Sequence, residues 1–550
     1  MSEYTLISRT DNRFETLKKG FNLRWPGNGQ GADFIYICST EASVWAAAND
    51  ALKKNYRITV RSGGHCYEGL VSNKLADQKS QKLAIIDLGL MSGIEFDENG
   101  GLRSRYNESV KYKFRLSSGN QNWDGYTALY KMANRTIPGG SCYSVGAGGH
   151  ISGGGYGLLS RMHGLTVDWL SGVDILVPNL AGDALEVRHV HADSDESDGE
   201  RDLFIACRGA GGGNFGIILN YYFKELPQAP QQAYLLSLAW PWSAFDSKAK
   251  LGHFLNEYWR WFSDNDEHWN SNEIGKANGG LFTLLKIQHR STGDINLLIQ
   301  YTGMDGRVDG ERQTDPLIDF VTRMNQAAGS NAFVTPQDAL YGPVRTRHLT
   351  EPLNDVLQDA RLMDWLHLTQ TLNGSGNNQY GKYKSFYQIN DFSDFEIGAI
   401  WRYFNQQDDA ILNQALLQID SYGGCVNINN EQETPTSVYQ RRSLLKSQLQ
   451  VYWSDPTHEQ HCVDWCRDFY RAFFEQQGGK PFQDNQRYEG CYINYPDVDM
   501  KYTDDSHEVV DTRWLELYYG DKRQKLIETK QKFDPKNIFR SELSIPLAHP

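Results

Sequence analysis

Three glycine-rich stretches hold the residues of this chain best placed to do chemistry. The first is Arg61-Ser62-Gly63-Gly64-His65, with a second thiol, Cys66, directly after the histidine. The second runs from Ile137 to Gly157 and contains Gly139, Gly140, Cys142, Val145, Gly146, Gly148, Gly149, His150, Gly153, Gly154 and Gly157. The third is Arg208–Gly216, with Gly213, Asn214 and Gly216. Glycine costs backbone entropy in a regular element, so the second stretch is expected to be a loop that lies against something. Backbone N–H groups without side chains around them can cradle a pyrophosphate. Gly146 and Gly148 begin a G-x-G, but neither a helix nor a ribose-binding acid is expected at the right place after them, so this is not a Rossmann fingerprint. No Gly-Lys-Ser/Thr follows either long run, which excludes a P-loop. His65 and Cys142 lie 77 positions apart, so only the fold can bring them together.

Metal chemistry has one candidate. Cys462 and Cys466 sit four apart beside His461, but no second ligand pair follows, and Glu459 to Phe474 reads as an amphipathic helix. No metal site is expected. Eight cysteines in 550 residues are too few for a disulfide scaffold. A net charge of -13 argues against nucleic acid and anionic membrane surfaces as partners. No run approaches the roughly 18 apolar residues that span a bilayer, and the first residues lack the pattern of a secretory leader, so a cytoplasmic location is expected. Aromatic residues reach 12%; most must form core, but a minority could line a pocket for a flat or sugar-like ligand.

Around these residues the elements alternate. Asp33–Cys38, Arg57–Arg61 and Leu83–Asp87 read as short strands, with a helix over Glu41–Lys54 between the first two. A further helix is expected over Gly125–Asn134. Strands follow near Gly172–Val177, Glu186–Val190 and Ile217–Phe223. Leu226–Pro230 reads as a linker, after which strands such as Phe282–Ile287 and Asn296–Tyr301 alternate with long amphipathic helices. In Arg442–Trp453 the period of a strand puts Lys446, Gln448 and Gln450 on one face. At this length more than one domain is expected.

Several motifs occur together and in order: Arg61-Ser-Gly-Gly-His-Cys-Tyr-Glu-Gly69, Gly139-Gly-Ser-Cys142 with Val145-Gly-Ala-Gly-Gly-His150 and Gly153-Gly-Gly-Tyr-Gly157, Gly211-Gly-Gly-Asn-Phe-Gly216, Tyr492-Ile-Asn-Tyr495 and Asp534-Pro-Lys-Asn-Ile-Phe-Arg540. Their order and spread over most of the chain resemble the berberine bridge enzyme group within the vanillyl-alcohol oxidase (PCMH-type FAD-binding) family of flavoproteins. The resemblance implies an α+β fold: a two-subdomain FAD-binding domain over 1–228, a substrate domain with an antiparallel sheet covered by helices over 229–486, and a C-terminal segment over 487–550 returning to the FAD-binding domain.

The resemblance also implies an FAD cofactor bound twice, at His65 to the flavin 8α-methyl carbon and at Cys142 to ring position 6. Both side chains are nucleophiles that can add to an electron-poor ring, and two bonds would make it a better hydride acceptor. Cys66 is the rival thiol, without motif support and expected to point away. Arg61, Ser62, Gly63 and Gly64 would wrap the diphosphate, and the remaining glycines above, with His150, Asn214, Tyr492 and Asn494, would complete the cofactor site. His150 is expected to be a hydrogen-bonding scaffold residue. Tyr495 falls on the family's catalytic tyrosine, and Lys446-x-Gln448 matches alcohol-oxidising members. A tyrosine ionises near pH 10, so Lys446 is expected to lower its pKa, with Gln448 positioning substrate or tyrosine and Tyr387 facing the same pocket. A glutamate base at the Gln448 position, needed for carbon–carbon bond formation, is absent. Val145 resembles the oxygen-permissive type, whereas Tyr143 stands where many relatives have proline.

The implied activity is oxidation of the CH–OH of a sugar, or of a glycosylated or polycyclic natural product, with hydride passed to flavin and O2 reduced to H2O2. A dehydrogenase with a non-oxygen acceptor, an oxidative cyclase of secondary metabolism and a flavin-carrying binding protein without turnover are the competing readings.

Overall fold

The structure is a computed structural model that describes residues 4–291, 293–334, 351–372, 377–428 and 435–549. Three sheets carry the fold. In the first, Phe34–Ile37, Leu83–Asp87 and Arg57–Arg61 run parallel, with Thr5–Ser8 antiparallel at the edge. Leu83-Ala84-Ile85-Ile86 is fully buried, as a parallel strand covered on both faces should be. The crossover helix Glu41–Lys53 starts at Thr40, whose hydroxyl accepts from the Ser43 N–H while the Ser43 hydroxyl accepts from the Thr40 N–H. These reciprocal bonds satisfy two N–H groups the helix cannot. The second sheet is antiparallel, in the order Leu185–His191, Leu170–Pro178, Ile217–Phe223, Phe114–Ser117, Ile94–Phe96.

The third sheet is large and antiparallel. Its centre runs Gln232–Trp240, Ile295–Tyr301, Leu281–Gln288, Ala415–Ser421, Leu445–Trp453, Tyr380–Gln388. Alternation divides its residues between two faces. One face is covered by helices: Tyr258 of Lys248–Asn265 donates to the Ile419 carbonyl at 3.1 Å and bonds the Thr283 hydroxyl at 2.7 Å. The helix Glu459–Phe473 packs on the strands at the far edge. The other face, bearing Leu284, Lys286, Leu416, Gln418, Gln448 and Gln450, looks into the cavity described below. Near the C terminus, Lys530 donates to the Asn214 carbonyl at 2.6 Å, and Phe539 bridges to Ile58 of the first sheet.

One expectation fails locally. The glycine run is not all loop: Ala147–Ser152 forms a short helix. Its leading N–H groups find acceptors outside it, Ala147 on the Asn120 carbonyl at 2.7 Å and Gly148 on the Ser118 carbonyl at 3.0 Å. A Cβ on Gly148 would lie 2.9 Å from that Ser118 oxygen. Glycine is therefore present for close approach, and its entropic penalty is offset by the contact it permits. Cys462 and Cys466 are buried on the inner side of Glu459–Phe473, and His461 instead meets Asp409 at 2.6 Å. Among the described residues no helix is long and apolar enough to cross a membrane.

Candidate functional site

The first two glycine turns touch. A Cβ on Gly63 would sit 2.2 Å from the Gly146 nitrogen, and one on Gly146 would sit 2.1 Å from Ser62 Oγ. Only hydrogen fits at either position, so the turn carrying His65 lies directly on the stretch carrying Cys142. Gly64, at φ 78°, bends the chain into the histidine. His65 stacks on Phe21 with ring centres 4.4 Å apart and shares a hydrogen bond of 3.0 Å between Nε2 and Ser144 Oγ. Burial lowers its pKa to about 4, so the imidazole is neutral at pH 7.

Cys142 opens a tight turn in which its carbonyl accepts from the Val145 N–H at 3.2 Å. The start of the helix Asn122–Ala133 pins this turn: Asn122 donates its backbone N–H to the Val145 carbonyl at 3.0 Å and its side-chain amide to the Cys142 carbonyl at 3.1 Å. Burial pushes the Cys142 thiol up to about 11, with Lys286 acting against it. Burial draws the Lys286 ammonium down to about 8. His150 behaves as a scaffold residue: its Nε2 accepts from the Gly140 N–H at 3.1 Å, and its carbonyl accepts from Asn494 at 2.9 Å.

Both turns line a cavity closed on its opposite side by the third sheet. At that wall stands Tyr495. Lys446 donates to Tyr495 Oη at 3.2 Å and to Asp420 Oδ2 at 3.1 Å. The ammonium also lies 4.3 Å from the Tyr495 ring centre and 4.4 Å from that of Tyr156. The polar line continues: Gln418 donates to Asp420 at 2.9 Å, Gln450 donates to Gln418 at 3.2 Å and to Gln448 at 2.7 Å, and Tyr452 donates to Gln450 at 2.7 Å. Gln448 Nε2 is buried with no hydrogen bond of good geometry among the described residues, beside the Tyr67 phenol. A buried donor left unmade is costly, which suits a position that meets substrate. Tyr67 stacks on Tyr383 at 3.8 Å and on Tyr495 at 5.4 Å.

A buried charge cluster holds these parts in register. Lys382 bonds Glu68 at 2.7 Å and also meets Asp497 and Asp499. Lys384 bonds Asp497 at 2.7 Å and Asp499 at 2.8 Å, and Arg467 clamps Asp499 with two further bonds. Glu68 follows the His65 turn and Asp497 follows Tyr495, so two cations on one strand tie both to the sheet.

Two expectations need correction, those for the Tyr495 pKa and for Tyr387. Tyr495 is not a low-pKa tyrosine in this cavity: burial, then Asp420, hold it well above the ordinary value. The Lys446 charge is shared with a carboxylate as close as the phenol, so it does not outweigh burial. Tyr387 does not line the cavity but packs edge-on against Tyr422 at 5.1 Å; Tyr383, four residues along the same strand face, lines it instead. Arg61 lines the cavity, and its guanidinium is bound to Asp87 and to the Leu17 and Lys19 carbonyls. Cys66 also borders the cavity, but its thiol is held among the backbone N–H groups of Glu68, Leu70 and Val71 in the turn that follows.

Of the remaining expected residues, Ser62, Gly63, Gly64, His65, Gly140, Cys142, Val145, Gly146, Gly148, Gly149, His150, Gly213, Asn214, Gly216, Gln448, Tyr492, Asn494 and Tyr495 line the cavity. Gly139, Gly153, Gly154 and Gly157 lie behind it, where a Cβ on Gly157 would collide with the Gly139 carbonyl and one on Gly153 with Asn494. Lys446 is likewise one layer back, fully buried. Sequence reading missed Lys286, Gln418 and Asp420. Their signal was present: Lys286 and Gln418 each stand between two apolar residues of a strand, and Asp420 lies two residues beyond Gln418.

The cavity fits a dinucleotide. Gly149 and Gly213 face open space where an added Cβ would meet nothing within 4 Å, while Gly63 and Gly146 bring bare backbone to its edge. Such a wall admits a pyrophosphate closely. The far end offers aromatic faces and amide groups.

Comparisons with known proteins agree. The family model described as "FAD binding domain" matches residues 32–179, and that described as "Berberine and berberine like" matches residues 491–546. The chain is 35% identical to hexose oxidase of Chondrus crispus, over 98% of this chain and 94% of that protein. It is 32% identical to aclacinomycin-N/aclacinomycin-A oxidase of Streptomyces galilaeus, over 98% and 89%. Among solved structures, aclacinomycin oxidoreductase superposes with a TM-score of 0.81 at 29% identity, covering 98% of this chain and 99% of that one. The glycopeptide hexose oxidase complexed with teicoplanin gives 0.80 at 27%, covering 99% of each.

Proposed function

The chain belongs to the berberine bridge enzyme-like family of FAD-linked oxidases, and from that premise we propose that it oxidises the CH–OH group of a sugar, free or carried on a natural product, with O2 as electron acceptor. The observation that carries the reading is the line Tyr495–Lys446–Asp420 at the sheet wall, with the unsatisfied Gln448 amide beside it. Relatives that share the full chain length are named for hexose and glycosylated substrates. A floor of amides and tyrosine rings suits a hydroxyl-dense ligand better than an apolar one.

In this reading His65 and Cys142 each bond the flavin, and residues of the three glycine stretches hold its diphosphate. Bound FAD supplies a hydride acceptor. Tyr495 Oη takes the substrate hydroxyl proton. Lys446 donates to that same oxygen and stabilises the phenolate form that takes the proton, with Asp420 as its counter-ion. Gln448 Nε2 donates to a substrate oxygen and fixes which C–H faces the ring. Val145, which lines the cavity, would leave room there for O2. Tyr67 and Tyr383 exclude water from one side.

Two measurements test this. After acid denaturation the yellow colour stays with the polypeptide, His65→Ala and Cys142→Ala each retain one bond, and the double variant releases FAD; free FAD from the unmutated protein refutes double attachment. A panel of free hexoses and glycosylated aglycones should bleach the flavin without oxygen and give one H2O2 per substrate with it. Bleaching without peroxide would make the protein a dehydrogenase.

A further inference from the structure

His65 is neutral at pH 7, and a neutral imidazole has a single basic nitrogen. Which nitrogen that is depends on the partner of the other. The partner here is Ser144, whose Oγ lies 3.0 Å from Nε2. Ser144 belongs to the turn opened by Cys142, and that turn is fixed by Asn122. Phe21 holds the ring plane from one face. The imidazole therefore has one ring nitrogen committed and its rotation blocked.

We infer that Ser144 is a positioning residue for flavin attachment: its oxygen accepts the Nε2–H of His65, which leaves the lone pair on Nδ1 as the nucleophile that joins the flavin methyl carbon. This rests on the proposed bond at His65. Ser144 also links the two attachment points, because one short turn then presents the Cys142 thiol and sets the tautomer of His65.

The step balances with dioxygen as the oxidant. Nδ1 forms the N–C bond, and the flavin methyl group gives up one proton. The imidazole, now carrying a substituent at Nδ1, gives up its Nε2 proton toward Ser144. The electron pair released to the ring is taken by O2, which with those two protons leaves as H2O2. The flavin ends oxidised and the imidazole neutral.

The test isolates the histidine bond. In a Cys142→Ala background, Ser144→Ala and Ser144→Thr are compared for the rate at which acid-denatured chains acquire the mass of FAD, and for FAD affinity before attachment. The Ser144→Ala chain should attach about tenfold more slowly, the size expected for one lost orienting hydrogen bond. FAD affinity should be unchanged, and Ser144→Thr should restore the rate. NMR of the flavin peptide should show Nδ1 substitution in the Ser144-containing chain and a share of Nε2 substitution after Ser144→Ala. Equal attachment rates overturn the inference. So does a slower rate that merely tracks weaker FAD binding. If Cys142→Ala alone carries no covalent flavin, the His65 bond itself fails and the inference with it, a result distinct from equal rates.

Discussion

Lys382→Met tests whether the buried charge cluster is what registers the His65 turn against Tyr495, the proposed base. Lys382 is 2% exposed and meets three carboxylates, those of Glu68, Asp497 and Asp499. Methionine keeps most of the side-chain volume, so the change removes charge rather than packing. Lys384, Arg467 and His507 also bond Asp499, and Lys384 bonds Asp497, so among the described residues removal of Lys382 chiefly strands the buried Glu68 carboxylate. Breaking such a pair costs about 3–5 kcal/mol. Unfolding entropy of roughly 2.1 cal/mol/K per residue over 550 residues converts about 4 kcal/mol into a fall of about 3–4 °C in midpoint, if the chain melts as one unit. The sign with pH is fixed. Burial raises the Asp499 pKa, but Lys382 and Lys384 outweigh it and hold the carboxyl well below its ordinary value. The stability from that shift is present above the unfolded pKa, near 3.9, and is lost as pH falls through the folded value. In the variant an uncompensated carboxylate is pushed upward instead, so the deficit should be large at pH 8 and shrink toward pH 5. Scanning calorimetry at both pH values measures it. Lys382→Met/Glu68→Gln should recover part of the loss by removing the stranded charge. A Lys382→Met protein as stable as the parent at pH 8, or a double variant no more stable than the single one, would refute the reasoning.

Tyr495→Phe should slow flavin reduction by about 10²–10⁴-fold, the usual worth of a general base, with FAD retained. Because Tyr495 is held above the ordinary tyrosine range, raising pH supplies more of its basic form, so kcat/KM in the unmutated protein should climb from pH 6 to 9; a flat profile removes Tyr495 as the base. Gly146→Ala places a methyl group 2.1 Å from Ser62 Oγ and should abolish FAD binding; a flavin-loaded Gly146→Ala protein would show that the two turns need not touch. Lys286→Met removes the cation that works against burial at Cys142. Bond formation at that thiol, read by mass in a His65→Ala background, should slow while substrate-free FAD affinity holds.

The sequence carried the cofactor side of this protein well, because that side is built from backbone. Glycines at Gly63, Gly146 and Gly148 are needed where chain meets chain, and no other residue can replace them without collision, so the motif and the geometry coincide. The parallel strands were legible for a similar reason, since Arg57–Arg61 and Leu83–Asp87 are short apolar runs bounded by polar turns. The helix at Ala147–Ser152 was not, because its first N–H groups are satisfied by the Ser118 and Asn120 carbonyls just past the strand Phe114–Ser117 rather than by its own residues. On the substrate side the sequence put Lys446, Gln448 and Gln450 on one face, which needs only the period of a strand. It could not reveal that Ala415–Ser421 lies beside them, setting Asp420 against Lys446, and so it misjudged the Tyr495 pKa. Electrostatics at a buried site sums over every neighbour, and those neighbours come from strands far apart in the chain. Tertiary structure alone decided that Tyr383 rather than Tyr387 reaches the cavity, that Arg61 is held by Asp87, and that Ser144 meets His65.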